Sequence, residues 1–321
     1  MNRSSPFRST EKTLASLPPA RRYLVGVSGG RDSIALLHLL QAAGYRNLII
    51  CHLDHQLRNR ASRADATFVE KIARARQCDY EIGRTNVRAL ARESKISIET
   101  AARIARFAFF VSVARRKRCH TIFLAHHADD LVETALFNLF RGASPAGLAA
   151  MRAVAGHRVG KTHITIVRPL LGIWRSEIDG YVEKHGLKFR EDASNTELSS
   201  TRNRIRHRIL PYTEKRLGRD VCRAIWRVAQ IWSEEETFLQ SMIDDGKFTA
   251  AKIELAKLQS LPIALQRRAI VRWLRAQEIA EVGFELVEKI REVIEPGART
   301  AKVNLPGGRY LRRRAGKIFL Q

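Results

Sequence analysis

The chain has no run approaching the ~18 to 20 consecutive apolar residues that a membrane-spanning helix requires. Its start, Met1 to Lys12, is polar and lacks the apolar stretch of a secretory signal. Cysteine is scarce: Cys51, Cys78, Cys119 and Cys222 form no CxxC pair and no Cys/His spacing of a structural zinc site. Those absences argue against an exported, disulfide-stapled or zinc-finger protein and fit a reducing cytoplasm, where isolated thiols act as small apolar fillers. With only 19 Gly and 9 Pro the composition is not that of a disordered or fibrous chain. What the chain lacks most is acid: 57 Lys and Arg face 32 Asp and Glu, a formal charge of +25. A pI near 10.8 spread along 321 residues points to a polyanionic partner, nucleic acid before an anionic membrane surface. The length suits two domains.

Strand-like and helix-like segments alternate through the first half. Arg22 to Val27 is a short apolar run of the buried parallel-strand kind, and Asp32 to Ala43 carries helical spacing that Gly44 stops. Strands are expected at 47–53, 79–82, 120–125 and 162–167, with helices at 61–76, 98–116, 129–140 and 174–185. This is the pattern of a doubly wound α/β parallel sheet, in which ligands bind beyond the carboxyl ends of the strands. Residues Gly142 to Gly160, rich in Gly and Ala, read as a connection, and 192–200 as a polar loop. From Thr201 the pattern is helical, and short strands around tight turns close the chain after Ala301. The expected organisation is an N-terminal tail, 1–20, a catalytic domain, 21–217, and a mainly helical domain, 218–321, ending in short strands. In the helical part Trp226, Trp232 and Trp273 are spaced for core packing rather than for base stacking, and basic patches recur at Arg267 to Arg275 and Arg309 to Lys317.

The segment Val27-Ser28-Gly29-Gly30-Arg31-Asp32-Ser33 falls where the first strand turns into the first helix. Small residues there let backbone N–H groups and a helix N-terminus approach an anion, and two serine hydroxyls add donors. Capping of an ordinary turn would explain Ser and Asp as well. An acid beside phosphate asks for a cation between them, so Asp32 is the expected Mg²⁺ contact. A second candidate, Gly156 to Thr162, ends like a Walker A loop. It has Ala155 where Gly is required, and strand rather than helix formers follow. Two further polar clusters sit at strand ends: His52-Leu-Asp54-His55, and His126-His127-Ala-Asp129-Asp130 followed by Glu133 and Thr134. Asp130, Glu133 and Thr134 share one helix face. Dipole complementarity would account for the acids, and zinc is disfavoured because the spacing is not HExxH and adjacent histidines diverge.

SGGRDS (28–33) matches the SGGxDS signature of the PP-loop ATP pyrophosphatases. The ordered set DHQLR (54–58), AARIAR (101–106), AHHADDLVET (125–134), RGASPAGLAAM (141–151), RPLL (168–171), DASN (192–195), RNRIRH (202–207) and LPGG (305–308) resembles the tRNA(Ile)-lysidine synthetase family over nearly the whole chain. The resemblance implies ATP-dependent ligation of free lysine to C2 of the wobble cytidine of a CAU anticodon through an adenylated tRNA, with ATP and Mg²⁺ required. It implies nucleotide contacts at Ser28, Gly29, Gly30, Arg31, Asp32, Ser33, His52, Asp54 and His55. Catalytic or lysine-binding roles are implied for Asp32, Arg103, Arg106, His126, Asp130, Glu133 and Arg202, the two acids after His127 recognising ammonium and an arginine clamping the carboxylate. Arg202, Arg204, Arg206 and Arg208 lie on two helix faces, open to a solvated role or to gripping substrate. The chain resembles shorter family members, with tRNA contact expected of the helical domain 218–321, and a homodimer is left open. The rival readings are a PP-loop tRNA thiolase, for which a paired or reactive cysteine is missing, and an RNA-binding protein with a degenerate nucleotide fold.

Overall fold

The computed structural model describes residues 8–57, 59–149, 151–190, 201–243, 248–279 and 282–321. The DASN motif and Arg58 of DHQLR lie outside them. The chain divides into two compact units, one of residues 1–134 and 151–222, the other of 135–150 and 223–321. The second unit thus takes a short segment from the middle of the region that sequence spacing assigns to one catalytic domain.

In the first unit the helix α1 (Arg8–Leu14) precedes β1 (Tyr23–Gly26), α2 (Arg31–Ala42), β2 (Leu48–Asp54), α3 (Asn59–Ala75), β3 (Asp79–Arg84), α4 (Val87–Glu93), α5 (Ile98–Lys117), β4 (Thr121–Phe123) and α6 (Ala128–Leu139). The division between units falls within α6. After α7 (Pro145–Leu148), which belongs to the second unit, come β5 (Val154–Val159), β6 (Thr162–Val167), α8 (Arg175–Lys184), α9 (Thr201–Arg204) and α10 (Leu210–Leu217). The sheet order is β3-β2-β1-β4-β6-β5. Every pairing is parallel except that of β5 with β6. Successive residues of the central strands feed opposite cores, as the pleat requires. Val25, Ile50 and Phe123 pack with Leu36, Leu37 and Leu40 of α2, whereas Leu24, Ile49 and Ile122 pack with Phe107, Phe110 and Val113 of α5. Burial on both faces explains why these strands read as continuous apolar runs.

Within the expected N-terminal tail, α1 is docked, with the buried Thr10 hydroxyl donating to the Pro169 carbonyl at 2.9 Å and Leu14 packed on the core. One expectation from the sequence is corrected by the fold. Residues 154–159, expected as connection, form the antiparallel edge strand β5. Its Gly and Ala content and its exposure alternation leave only a weak apolar signal. Gly160, at φ +57°, begins the two-residue turn from Val159 to Thr162, so the Walker-like string is a hairpin tip.

The second unit contains most of α11 (Val221–Ser241), then β7 (Lys252–Glu254), α12 (Leu255–Gln259), α13 (Ile263–Ala276), α14 (Phe284–Ile294), β8 (Lys302–Asn304), β9 (Tyr310–Arg314) and β10 (Lys317–Leu320). The strands form an antiparallel sheet ordered β7-β10-β9-β8. Trp273, fully buried, anchors this core with Ile270, Ile290, Leu311 and Ile318, and its indole N–H donates to the Ala250 carbonyl at 2.8 Å. Trp226 and Trp232 are half-buried.

Candidate active site

The turn from β1 into α2 needs glycine for two physical reasons. Gly29 has φ +91°, a region L side chains rarely adopt, and a Cβ on Gly26 would lie 2.6 Å from the Leu124 side chain. No side chain caps α2 at Gly30, so the N–H groups of its first turn remain directed outward with the helix dipole behind them. Ser28 Oγ accepts from Gly30 N at 3.2 Å and lies 3.2 Å from Ser33 Oγ, while Ser33 donates to the Gly30 carbonyl at 2.8 Å. The loop is thereby fixed in the shape of a cradle, its two hydroxyls bonded within it. Arg31 contributes its backbone but not its guanidinium, which is paired with Asp179 at 2.5 Å and stacked over Phe189.

Asp32 stands at the mouth of this cradle. Its Oδ1 is buried without a hydrogen-bond partner among the described residues, and its Oδ2 lies 3.8 Å from His127 Nε2. A carboxylate oxygen left orphaned beside a phosphate cradle suits a divalent cation shared with phosphate oxygens. Among the described residues no group of three or more His, Cys, Asp or Glu side chains is arranged to hold a metal alone.

His127, 1% exposed, is the hub that sequence reasoning left without a role. Its ring lies 3.3 Å from Asp129, 3.5 Å from Asp130 and 3.8 Å from Asp32. Burial opposes protonation, yet Asp129, Asp130 and Asp32 together raise its pKa above the ordinary histidine value. Asp130 also accepts from the His127 backbone N–H at 3.1 Å, and Asp129 from that of Arg175 at 2.9 Å, so both acids are held at the N-terminus of α6.

His126 points to different company. Arg168, 7% exposed, donates to its Nδ1 at 3.3 Å, leaving Nε2 to carry the proton. Burial, and then Arg168, Arg106 and Arg103, push its pKa down to about 3 against the pull of Asp130. Arg103 and Arg106 are themselves driven below the usual arginine value, first by burial and then by Arg202 beside both and by each other's proximity at Arg106. Glu99 is the acid among these cations and pairs with Arg202 at 3.2 Å. A neutral imidazole amid four arginines makes a site poised for an anion. Arg168 was not singled out from the sequence; its signal was the RPLL motif that contains it.

Glu133 is buried and takes a bidentate grip from Arg206 at 2.5 and 3.0 Å, with Asp130 3.6 Å from the same guanidinium. Burial lifts the Glu133 pKa while Arg206 pulls it back. Arg206 lies on a π-turn, Ile205–Ile209, between α9 and α10, so 202–208 is not the single α-helix on which the two-face reading rested. Asp129, Glu133, Arg175, Arg206 and Glu214 line a cavity of ≈ 170 Å³ closed by Val132, Leu210, Pro211 and Cys222.

At the end of β2, His52 Nδ1 donates to the Val27 carbonyl at 2.9 Å, and its Nε2 is buried without a partner among the described residues. Burial lowers its pKa and, with Arg106, pushes that of His55 to about 4, so both rings are neutral acceptors. The Asp54 carboxylate instead accepts from the Gln56 N–H at 2.8 Å and serves the turn. All four cysteine thiols are raised above the ordinary value, by burial foremost, and have no thiolate character.

A PP-loop domain model matches residues 4–213, and a model described as the TilS substrate binding domain matches 254–319. A tRNA(Ile)-lysidine synthase from Thermosynechococcus vestitus is 30% identical over 314 residues, which cover 95% of this chain and 88% of that one. The chain belongs to the tRNA(Ile)-lysidine synthase family. The family member from Geobacter sulfurreducens is 35% identical over 302 residues, 90% of this chain; the chain spans 62% of that relative's length. Among solved structures, the U34-tRNA thiolase NcsA from Methanococcus maripaludis superposes with a TM-score of 0.57 at 19% identity, covering 71% of this chain and 76% of that one. That likeness shows the shared fold alone. In lysidine synthase family terms, the cradle, His127 and the arginine cluster all fall within the PP-loop match. No described helix is long and apolar enough to cross a membrane.

Proposed function

We propose that this chain joins free L-lysine to C2 of the wobble cytidine in the CAU anticodon of tRNA(Ile), with ATP as activator. In the first step the C2 carbonyl oxygen attacks the α-phosphorus of ATP and pyrophosphate leaves. In the second the lysine ε-amine, having lost a proton, attacks C2, and AMP departs with the oxygen. The observation that carries this reading is that Asp32 of the phosphate cradle and the acid cluster of α6 face one another across His127, within 3.8 Å. Such an arrangement supports a phosphate end and an ammonium end in one crevice.

Backbone N–H groups of 29–33 and the hydroxyls of Ser28 and Ser33 would hold pyrophosphate, and His52 and His55 would accept from the nucleoside. Asp32 would hold Mg²⁺, which would neutralise phosphate charge when bound. Arg103, Arg106 and Arg168 would balance charge developing on the α-phosphate, with His126 donating from Nε2. Asp130 and Glu133 would receive an ammonium, for which Arg206 must yield part of its hold. Arg202 remains the candidate clamp for the lysine carboxylate. Positioning and fixed charge would supply most of the catalysis, since the adenylate is itself a good leaving group.

The test is to incubate the purified chain with ATP, Mg²⁺ and unmodified tRNA(Ile), and to follow pyrophosphate, AMP and lysidine with and without lysine. Lysine-dependent AMP release with lysidine in the tRNA is expected. Tight tRNA binding without pyrophosphate release would return the reading to a noncatalytic RNA-binding protein, and product formation only with a sulfur donor would return it to a thiolase.

A further inference from the structure

The turn between β1 and α2 does not stand on its own hydrogen bonds alone. It rests first on α3: a Cβ on Gly29 would meet the Phe68 and Val69 side chains, each at 3.4 Å. Asp65 shares that helix face, three and four residues before them. The segment that follows α8 supplies the second support. There the Arg190 N–H donates to the Gly29 carbonyl at 3.0 Å, while the Arg190 guanidinium donates from Nε to the Asp65 carboxylate. One residue earlier, the Phe189 ring lies 4.8 Å from the Arg31 guanidinium, which Asp179 of α8 holds. Residues 189 and 190 therefore grip the loop on either side of Gly30.

The direction of the Gly29 carbonyl decides the inside of the loop. In a trans peptide the C=O and the following N–H point opposite ways, so an anchor on the Gly29 carbonyl turns the Gly30 N–H away from residue 190. That N–H then meets Ser28 Oγ at 3.2 Å, and Ser28 Oγ in turn lies 3.2 Å from Ser33 Oγ. Glycine enters the left-handed region as easily as it leaves it, so the φ of +91° at Gly29 depends on an anchor from outside the turn. The Asp65 and Arg190 side chains are 20% and 39% exposed, so solvent screens their ion pair and it adds little to global stability. Its location is the informative property. Burial lowers the His52 pKa, and the Val27 carbonyl and then Asp65 draw it back up, so the Asp65 carboxylate lies within electrostatic reach of that ring as well as beside the cradle. An acid so placed repels phosphate, and the Arg190 charge offsets it.

We infer that Arg190 and Asp65 are a positioning pair for the triphosphate of ATP: the pair ties residue 190 to α3, residue 190 fixes the Gly29 carbonyl, and the Arg190 charge offsets that of Asp65. The inference rests on the proposed use of ATP at this cradle and adds the residues that set the cradle's shape. Neither side chain belongs to the SGGRDS motif, and neither needs to touch the nucleotide. Direct phosphate contact by the Arg190 guanidinium is the competing role, and the two roles differ in what removing Asp65 does. An arginine acting on phosphate is left unharmed, or helped, when its carboxylate partner goes. A positioning pair fails when either partner is lost.

The experiment uses the full chain as wild type and as Arg190→Gln, Asp65→Asn, the two combined, and Arg190→Lys. Affinity for Mg²⁺-ATP is measured by calorimetry without tRNA, and steady-state pyrophosphate release is followed with tRNA(Ile) over a range of ATP concentrations. Arg190→Gln breaks the tether and withdraws a positive charge from beside Asp65, and is expected to weaken Mg²⁺-ATP and raise its KM by about tenfold. Asp65→Asn and the double variant should each lose about three- to fivefold, so that removing Asp65 partly rescues Arg190→Gln. Arg190→Lys, which keeps the charge, should stay within about threefold of the wild type. The kcat at saturating ATP and the KM for lysine should change by less than about twofold in every variant. A fall in kcat with the KM for ATP unchanged marks a merely structural role and would overturn the inference. So would wild-type affinity in Asp65→Asn, which places Arg190 on the phosphate itself, or a double variant that binds no more tightly than Arg190→Gln. Lysidine formation by the wild type with Mg²⁺-ATP affinity unchanged in all variants leaves the catalytic reading standing and this pair refuted. Variant affinities in the expected order with no lysidine from the wild type do the reverse, and a wild type that does not bind Mg²⁺-ATP overturns both.

Discussion

The two units of the chain differ in their histidine and cysteine content. All ten histidines and all four cysteines lie in 1–134 and 151–222, and none lies in 135–150 or 223–321. The first unit therefore has groups that can gain or lose a proton near neutrality, several of them shifted by burial and neighbours. The second unit depends on Lys and Arg, whose charge is fixed across the physiological range. Proton exchange near neutrality belongs with the former, which also carries 38 of the 57 Lys and Arg. Binding through the second unit should respond to salt and hardly to pH, while chemistry in the first should do the opposite.

The largest expected effect tests whether the units are separable in stability. Trp273→Ala removes a fully buried ring and its hydrogen bond to Ala250, and should cost about 3–5 kcal/mol. Calorimetry should show the loss in a transition of the second unit; a single transition shifted as a whole would mean that the two melt together. Asp32→Ala should cut pyrophosphate release by about 10²–10³-fold while leaving tRNA affinity and the melting temperature unchanged. A parallel drop in tRNA affinity would break the division of labour.

Glu133→Gln keeps the side chain's size and removes one charge. It should weaken lysine by about ten- to a hundredfold, the equivalent of about 1.5–3 kcal/mol for a charge-assisted bond, while the adenylated tRNA still forms. Following AMP-tRNA and lysidine separately distinguishes this from a lost Arg206 anchor, which would impair both.

The smallest effect is on pH. His38, His52, His55, His126 and His157 all have folded pKa values below the ordinary 6.5, burial being the first cause in each, with His55 near 4 and His126 near 3. The unfolded chain accordingly binds protons that the native state refuses. Stability from these groups is fully present above pH 6.5 and is lost as pH falls toward 4. His127, raised instead, offsets part of this. The first unit's transition should move down between pH 7 and 5, His38→Asn should flatten that slope, and the second unit's transition should not respond.

Much of the first unit is legible from sequence because its strands are buried on both faces and its helices have local periodicity. The strand at 162–167 coincides with β6, and the helices expected at 98–116 and 129–140 match α5 and α6 to within one residue at each end. The cradle is legible because a tight strand-to-helix turn confines its chemistry to six consecutive residues. What escaped were pairings across long stretches of chain. Nothing local to Arg31 indicates that Asp179 will take its guanidinium, and nothing near Glu133 indicates Arg206, 73 residues away. His127 was visible as one of two adjacent histidines, but its role depends on Asp32 arriving from another strand end. The edge strand β5 was missed because Ala155 and Gly156 followed by His157 and Arg158 leave no apolar period to detect.

The strand order β3-β2-β1-β4-β6-β5 has a consequence for synthesis on the ribosome. All six strands of the large sheet end by residue 167, before any of residues 223–321 exists, so the central pairing of β1 with β4 and of β4 with β6 can close while the remainder of the chain is still being made. Residues 135–150, by contrast, emerge early and wait for partners that appear about 75 residues later. A ribosome paused just past residue 222 would present a finished six-stranded sheet with that short segment still unmatched.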